Sequence, residues 1–305
     1  MLIFVAKRCL QLIPVLLGVL LITFAVTRFT PGDPAALIAG EDATEAMIEA
    51  TRVRLGLHRS VPMQFIIYVR RALQGDLGVS YIMGRSVSGL IGQALWPTAQ
   101  LAFVAMFVTV ALGIPLGIIS AVYKDSLLDG VARIISLLGV SVPNFFFGLL
   151  MILLFSLHLR LLPSFGMGTW RHLILPGITL GSFSTGLIAR LTRSSMIDTL
   201  NQDYILTARA KGLAARTVVY KHGLRNAAIA IVTILGLNLG NLLSGSVLTE
   251  AVFAFPGIGR LLVRSIFERD YATVQGVILV VAMIYVVVNL LVDILYAVVD
   301  PRIRY

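Results

Sequence analysis

Nothing in these 305 residues is arranged to make or break covalent bonds. A phosphate-cradling loop needs Gly-x4-Gly-Lys-Ser/Thr, so that backbone N–H groups wrap the phosphates while the lysine reaches them. No such run occurs. A zinc-hydrolase helix needs His-Glu-x-x-His, and none of His58, His158, His172 and His222 stands in one. The single Cys9 leaves no thiolate metal cluster or disulfide within the chain. The remaining chemistry is that of polar groups set into apolar stretches. Asp293 is the one acid deep in such a stretch, one helical turn after Asn289, so the two share a face. A charge there costs roughly 2.5–3.5 kcal/mol on insertion scales and must face protein or water. A gate or proton-relay group and a structural partner both fit. Asn144 follows a proline in Ser141-Val-Pro-Asn144, and Gly236, Gly240 and Ser244 stand four apart beside Asn238 and Asn241. Small residues at that spacing let helices approach closely, whereas hydroxyls and amides can hydrogen-bond a solute. Asn144, Asn238, Asn241 and Ser244 are therefore the candidates for lining a path.

The elements that must hold these groups follow from composition. The chain is 58% hydrophobic and 13% charged, with mean hydropathy +0.92. That is half the charge of a soluble domain and too little polar surface to cover a soluble protein of this size. The charges are also clustered. Uncharged gaps run from Arg8 to Arg28 (19 residues), Arg85 to Lys124 (38), Arg133 to Arg160 (26), Arg171 to Arg190 (18), Arg225 to Glu250 (24) and Asp270 to Asp293 (22). A helix needs roughly 20 apolar residues to cross the hydrocarbon. Six gaps predict an all-α integral membrane protein with six spans, near 9–28, 99–122, 134–157, 175–197, 227–249 and 273–298. The first apolar run is longer than a signal-peptide core and reads as an uncleaved anchor. Gly113-Ile-Pro-Leu-Gly117 and Ser141-Val-Pro-Asn144 predict kinks in the second and third spans.

With six spans both termini share a side. Thirteen lysines and arginines fall on the side of the termini against five acids, which predicts that both termini are cytoplasmic. The net charge of +10 fits this orientation better than a nucleic-acid partner. The domains read as an anchor over 1–28, an extracytoplasmic segment over 29–98, a five-helix core over 99–298 and a cytoplasmic tail over 299–305. Within 29–98, one short helix is expected from Thr44 to Arg54. A second, from Pro62 to Leu73, carries Phe65, Ile66, Val69 and Leu73 as a stripe.

The loop over 198–225 carries the clearest pattern. Asn201 can cap a helix whose first turn holds Asp203, and Gly212 stands where a left-handed cap belongs. Tyr204, Ala208, Lys211 and Ala215 line one stripe, and a second short helix should start at Ala214 and stop at Gly223. From spacing alone, docking into a partner's groove and a plain amphipathic connector both remain open.

Residues 204–212, Tyr-Ile-Leu-Thr-Ala-Arg-Ala-Lys-Gly, with His222-Gly-Leu-Arg-Asn226, resemble the coupling loop of type I ABC importer permeases in its peptide-permease form. Leu206 and Thr207 stand where Glu and Ala are common, and Ala230 replaces a frequent proline. Pro31-Gly-Asp-Pro34, Gly75-Asp-Leu-Gly78 with Ser80, Ile174-Leu-Pro176, Glu250-Ala-Val-Phe-Ala-Phe-Pro-Gly-Ile-Gly-Arg-Leu262 and Asp300-Pro-Arg-Ile-Arg-Tyr305 extend the likeness to the dipeptide, oligopeptide and nickel permeases, B-type subunit. The resemblance implies a bacterial inner-membrane permease for peptides or a related solute such as glutathione or a nickel chelate, and assigns ATPase coupling to Tyr204, Thr207, Ala208, Arg209, Ala210, Lys211 and Gly212. It implies as partners a C-type permease, two ATPases that bind ATP and Mg, an extracytoplasmic binding protein and membrane lipid, with no cofactor, metal or nucleic acid on this chain. The alternative from another class is a proton- or sodium-coupled transporter without an ATPase, which would need titratable groups near the midplane.

Overall fold

A computed structural model describes residues 2–29, 33–40 and 43–299. The tail 300–305, Pro31 and Gly32 lie outside the described residues, as does the side chain of Ser244. Thirteen helices are distinguished here. The first is α1 (Leu2–Phe29), followed in the polar segment by α2 (Pro34–Ala39), α3 (Glu45–Arg54) and α4 (Val61–Leu73). A two-residue hairpin, β1 (Val79–Ser80) with β2 (Arg85–Ser86), then leads into α5 (Val87–Val122). The pair α6 (Leu127–Ser141) and α7 (Asn144–His158) precedes α8 (Trp170–Leu200) and the short α9 (Asp203–Ala210). Last come α10 (Ala215–Leu243, its final turn reaching residue 245), α11 (Val247–Val252), α12 (Ile258–Phe267) and α13 (Tyr271–Val299).

Four helices, α5, α8, α10 and α13, are long and apolar enough to cross a membrane, and the bent pair α6–α7 has the combined length and hydropathy of a fifth when counted as one broken span. The predicted first span falls in α1, whose described apolar run is shorter, Leu10–Ala25. The predicted boundaries shift outward. The span expected at 99 starts at Val87, and the one expected at 227 starts at Ala215. Both helices continue past the apolar core because nothing in their polar first turns breaks them. The two predicted kinks differ in kind. Before Pro115, α5 widens into a π-helical turn over Thr109–Gly113, which absorbs the missing proline N–H without a sharp bend. At Val142-Pro143 the chain turns extended, and α6 and α7 meet at 105°.

The central element is α8, which packs against α5, α6, α7 and α10. Its small residues allow this. A Cβ added at Gly181 would sit 2.8 Å from the carbonyl oxygen of Ala105 on α5, and one at Gly117 of α5 would sit 2.5 Å from Thr192 of α8. In lipid, close backbone packing of this kind replaces the hydrophobic drive that water supplies to soluble cores. Near one end, Leu101, Ile152, Leu175, Leu242, Phe253 and Phe255 form a buried cluster. At the other, Ile118, Ala121, Met196, Ala227 and Ile231 form a second.

In the polar segment Asp33 caps α2, accepting from Ala35 N at 3.0 Å, and pairs with Arg52 of α3. Desolvation pushes the Asp33 carboxyl up, but the Ala35 N–H and the Arg52 guanidinium outweigh it and hold it below its ordinary value. The stripe expected on α4 is rotated. Phe65 meets Phe24 of α1 edge-on at 5.4 Å, and Tyr68 stacks on the same ring, but Ile66 and Leu73 are exposed. The packing face follows Phe65 and Tyr68 because these rings reach α1.

Candidate functional site

The predicted coupling helix is present as α9, with one correction at each end of its surroundings. Asn201 does not cap it. Asn201 terminates α8, and Gln202, extended at φ −79°, is the residue before α9 and makes no side-chain cap. Gly223 does not stop the following helix. The chain passes through it in a π-helical turn, Val218–Leu224, and straight on into the span, because Gly223 lies against Met196 and Leu200 where a side chain would crowd them. The expected left-handed cap is found: Gly212 has φ +71° and its N–H donates to the Arg209 carbonyl at 2.9 Å.

The stripe is also turned relative to expectation. Ile205 and Ala208 are the buried face, closed by Val218 and Leu200. Ala208 therefore belongs to the packing of its own chain. Tyr204, Thr207, Arg209, Ala210, Lys211 and Gly212 are exposed, together with Leu206, which leaves 57% of its surface to solvent. One side-chain bond ties the helix to its neighbour: the Tyr204 hydroxyl accepts from Asn226 Nδ2 of α10 at 2.8 Å. Within the helix, Thr207 donates to the Asp203 carbonyl.

A tether not foreseen from the sequence fixes the end of α8 just before this helix. Asp129 of α6 is fully buried and receives Arg193 of α8 in bidentate fashion, with both N···O distances 2.9 Å. Ser120 and the Asp125 N–H donate to the same carboxylate. The sequence signal was weak, because both charges stood at predicted span ends where solvated charges are ordinary.

The polar residues proposed for a path do not converge on one constellation. Among the described residues no hydrogen bond joins Asn144, Asn238, Asn241 and Asn289 to one another. Asn238 is 7% exposed and accepts the Ser184 hydroxyl of α8 at 3.0 Å, while its Nδ2 has no partner. Asn241 lies on the exposed face of α10. Asn144, at the start of α7, and Asn289, on α13, are half-buried, each with an unpartnered Oδ1. Asp293 pairs with Arg8 of α1 at 3.2 Å. Gly236 and Gly240 face Val292, Val288 and Tyr285 of α13, so the glycines serve helix packing.

The other end of the bundle holds a second buried carboxylate. Glu250 is 0% exposed. Its Oε1 accepts from the hydroxyls of Thr98 (2.7 Å) and Ser246, and its Oε2 accepts from Arg260 N at 3.1 Å. Thr98 Oγ1 in turn accepts from Ile258 N at 2.8 Å. Glu250 and Thr98 together satisfy free N–H groups at the start of α12. Gly257 lies directly against the carboxylate, where no Cβ fits. The Glu250–Leu262 run was singled out by resemblance, but nothing in its spacing pointed to Thr98.

Comparison with known proteins matches residues 113–305 to the family described as binding-protein-dependent transport system inner membrane component, and residues 1–102 to its N-terminal counterpart. The glutathione transport system permease protein GsiC of Escherichia coli K12 is 45% identical over 305 residues, covering 100% of both chains. Its namesake in Salmonella choleraesuis is 44% identical over the same length. Among solved structures, the inward-facing MetNI methionine ABC transporter in its native crystal form matches with TM-score 0.60 at 22% identity, over 69% of this chain and 96% of that one. An amino acid ABC transporter with histidines matches with TM-score 0.53 at 18% identity, over 71% and 95%. These two share the fold. The self-sufficient ion-coupled transporter is thereby set aside. The chain belongs to the binding-protein-dependent transport system inner membrane components and is a multi-pass permease subunit of an ABC importer.

Proposed function

We propose that this permease carries small peptides, with glutathione as its best single candidate, and that separate ATPases drive it through α9. The observation that carries the coupling half is the outward face of that helix. Ile205 and Ala208 lock it to the bundle, yet Tyr204, Leu206, Arg209 and Lys211 all project from one short exposed rod. Leu206 and Arg209, one turn apart on the side away from Ile205 and Ala208, present an exposed apolar surface beside a cation; such a pair suits a groove on a second protein, since both gain from being covered there. Two ATP- and Mg-binding subunits, a second permease and an extracytoplasmic binding protein complete the assembly. The solute half rests on the GsiC relatives, which match over their whole length.

Leu206→Asp, a change on an exposed position, should leave insertion and folding intact. It should reduce solute-stimulated ATP hydrolysis of the reconstituted importer by about tenfold or more, the loss expected of one central interface anchor. Unchanged stimulation would remove α9 from the coupling role. Uptake of labelled glutathione and of di- and tripeptides into proteoliposomes, with the binding protein present, decides the solute. Absence of all peptide uptake overturns that half.

A further inference from the structure

A cavity lies in the polar segment, between α4, the β1–β2 hairpin and the turn from α12 to α13. Its volume is about 700 Å³, within the range of roughly 300–1,000 Å³ usual for sites that bury a small ligand. Arg28, Arg54, Arg59, Arg70, Arg71 and Arg269 line it. None of the six makes a close ion pair among the described residues, Arg28 acting on Asp33 only through longer-range attraction.

The acids of the same cavity are already engaged. Asp270 is buried and accepts from the hydroxyls of Ser80 and Thr273, both at 2.6 Å. Asp76 accepts from Gly78 N. Glu268 holds Arg264 through Oε1, and only its Oε2 is left without a partner. Six arginines against three carboxylates give the cavity an excess of three positive charges. Gathering like charges around one concavity is unfavourable unless an anion shares it, and a positive cleft with low-dielectric walls concentrates anions. Arg269 is held in the left-handed region at φ +54°, uncommon for a residue with a side chain. The Tyr271 hydroxyl, on the same wall, lacks a partner.

We infer that this cavity is an outer receiving site for a carboxylate-bearing peptide, held before it enters the path. The inference rests on the peptide reading above and names where such a solute is first bound. Guanidinium groups offer paired N–H donors matched to carboxylates, and Glu268 is a carboxylate on the same wall that can attract the solute's ammonium. A peptide with two carboxylates and one ammonium meets both kinds of group.

The test uses the purified importer complex in phosphatidylcholine nanodiscs, without binding protein. Saturation-transfer NMR is read with glutathione and with its diamide, in which both carboxylates are removed. The expected result is transfer to glutathione and little to the diamide. Arg70→Gln with Arg71→Gln, both exposed on α4, should weaken the glutathione signal about tenfold, the equivalent of losing one or two charge-assisted bonds. Arg269→Gly, which removes a cation while easing the backbone, should act in the same direction. No transfer, equal transfer to the diamide, or a signal untouched in both variants overturns the inference. Phosphatidylglycerol retained by the wild type and lost from the variants, with no glutathione transfer, would assign the cavity to lipid headgroups and likewise overturn it. Peptide uptake with the binding protein present reports separately on the permease's solute. Normal uptake with no binding in discs defeats the receiving site alone.

Discussion

Glu250 places a carboxylate inside the bundle with hydroxyl and amide donors around it and no cation bonded to it among the described residues. It joins α5 through Thr98, the end of α10 through Ser246 and the start of α12 through Arg260 N. Removing it strands several buried donors, and each unsatisfied group costs roughly 1–3 kcal/mol. Glu250→Ala should therefore lower the thermal unfolding temperature of the detergent-solubilised permease sharply. Glu250→Gln, which keeps an acceptor and lets the hydroxyls reorient, should cost less. Thr98→Val combined with Glu250→Ala should fall short of the sum of the two singles, because the residues act as one unit. Additive losses would show that the contact does not couple them. Asp129 with Arg193 is the counterpart at the opposite end, and there the buried charge is paired.

At the scale of the element, α9 is notable for how it ends. Gly212 at φ +71° turns the chain out of the helix, and a Cβ there would meet nothing within 4 Å. Two effects of substitution can thus be separated. Asparagine tolerates the left-handed region, so Gly212→Asn should retain most of the ATPase stimulation. Gly212→Trp adds bulk beside the exposed face and should abolish it, with membrane insertion unchanged. Equal loss in both variants would mean that the backbone conformation, and not close approach of a partner, makes glycine necessary. The same scale explains α8. Thirty-one residues, Trp170–Leu200, run through the middle of the bundle because glycine, serine and threonine let four other helices reach its backbone.

For the whole molecule, the loops sort into two ends. Asp129–Arg193 gathers the α5–α6 turn and the end of α8 beside α9, and Arg8–Asp293 joins α1 to the end of α13. At the far end, Ser80 bonds Asp270, and Gly166 N donates to the Phe253 carbonyl. Between them the flanks are apolar, with Phe103, Phe107 and Ile134 largely exposed, as a lipid-facing surface requires. The charge asymmetry predicts that the α9 end is cytoplasmic. Alkaline phosphatase, active only outside the cytoplasm, should be silent when fused after Tyr305 and active when inserted near Gly56. The reverse pattern would invert the orientation.

What the amino-acid order determined by itself is what depends on local sums. Long uncharged runs dictated helices of membrane length, and the left-handed glycine at 212 was readable because that backbone conformation is a property of one residue. Motif order from Pro31 to Tyr305 identified the family for the same reason. What only the tertiary structure decided depends on partners distant in the chain. Thr98 bonds Glu250 across 152 positions, Arg193 reaches Asp129 across 64, and Ser80 reaches Asp270 across 190. No periodicity records such pairings, because each becomes favourable only once helix packing has removed both groups from water and left them only each other to satisfy. The turned stripe of α9 has the same origin. Helical spacing put Ile205 and Ala208 near one face, but the place of Val218 decided that this face points inward.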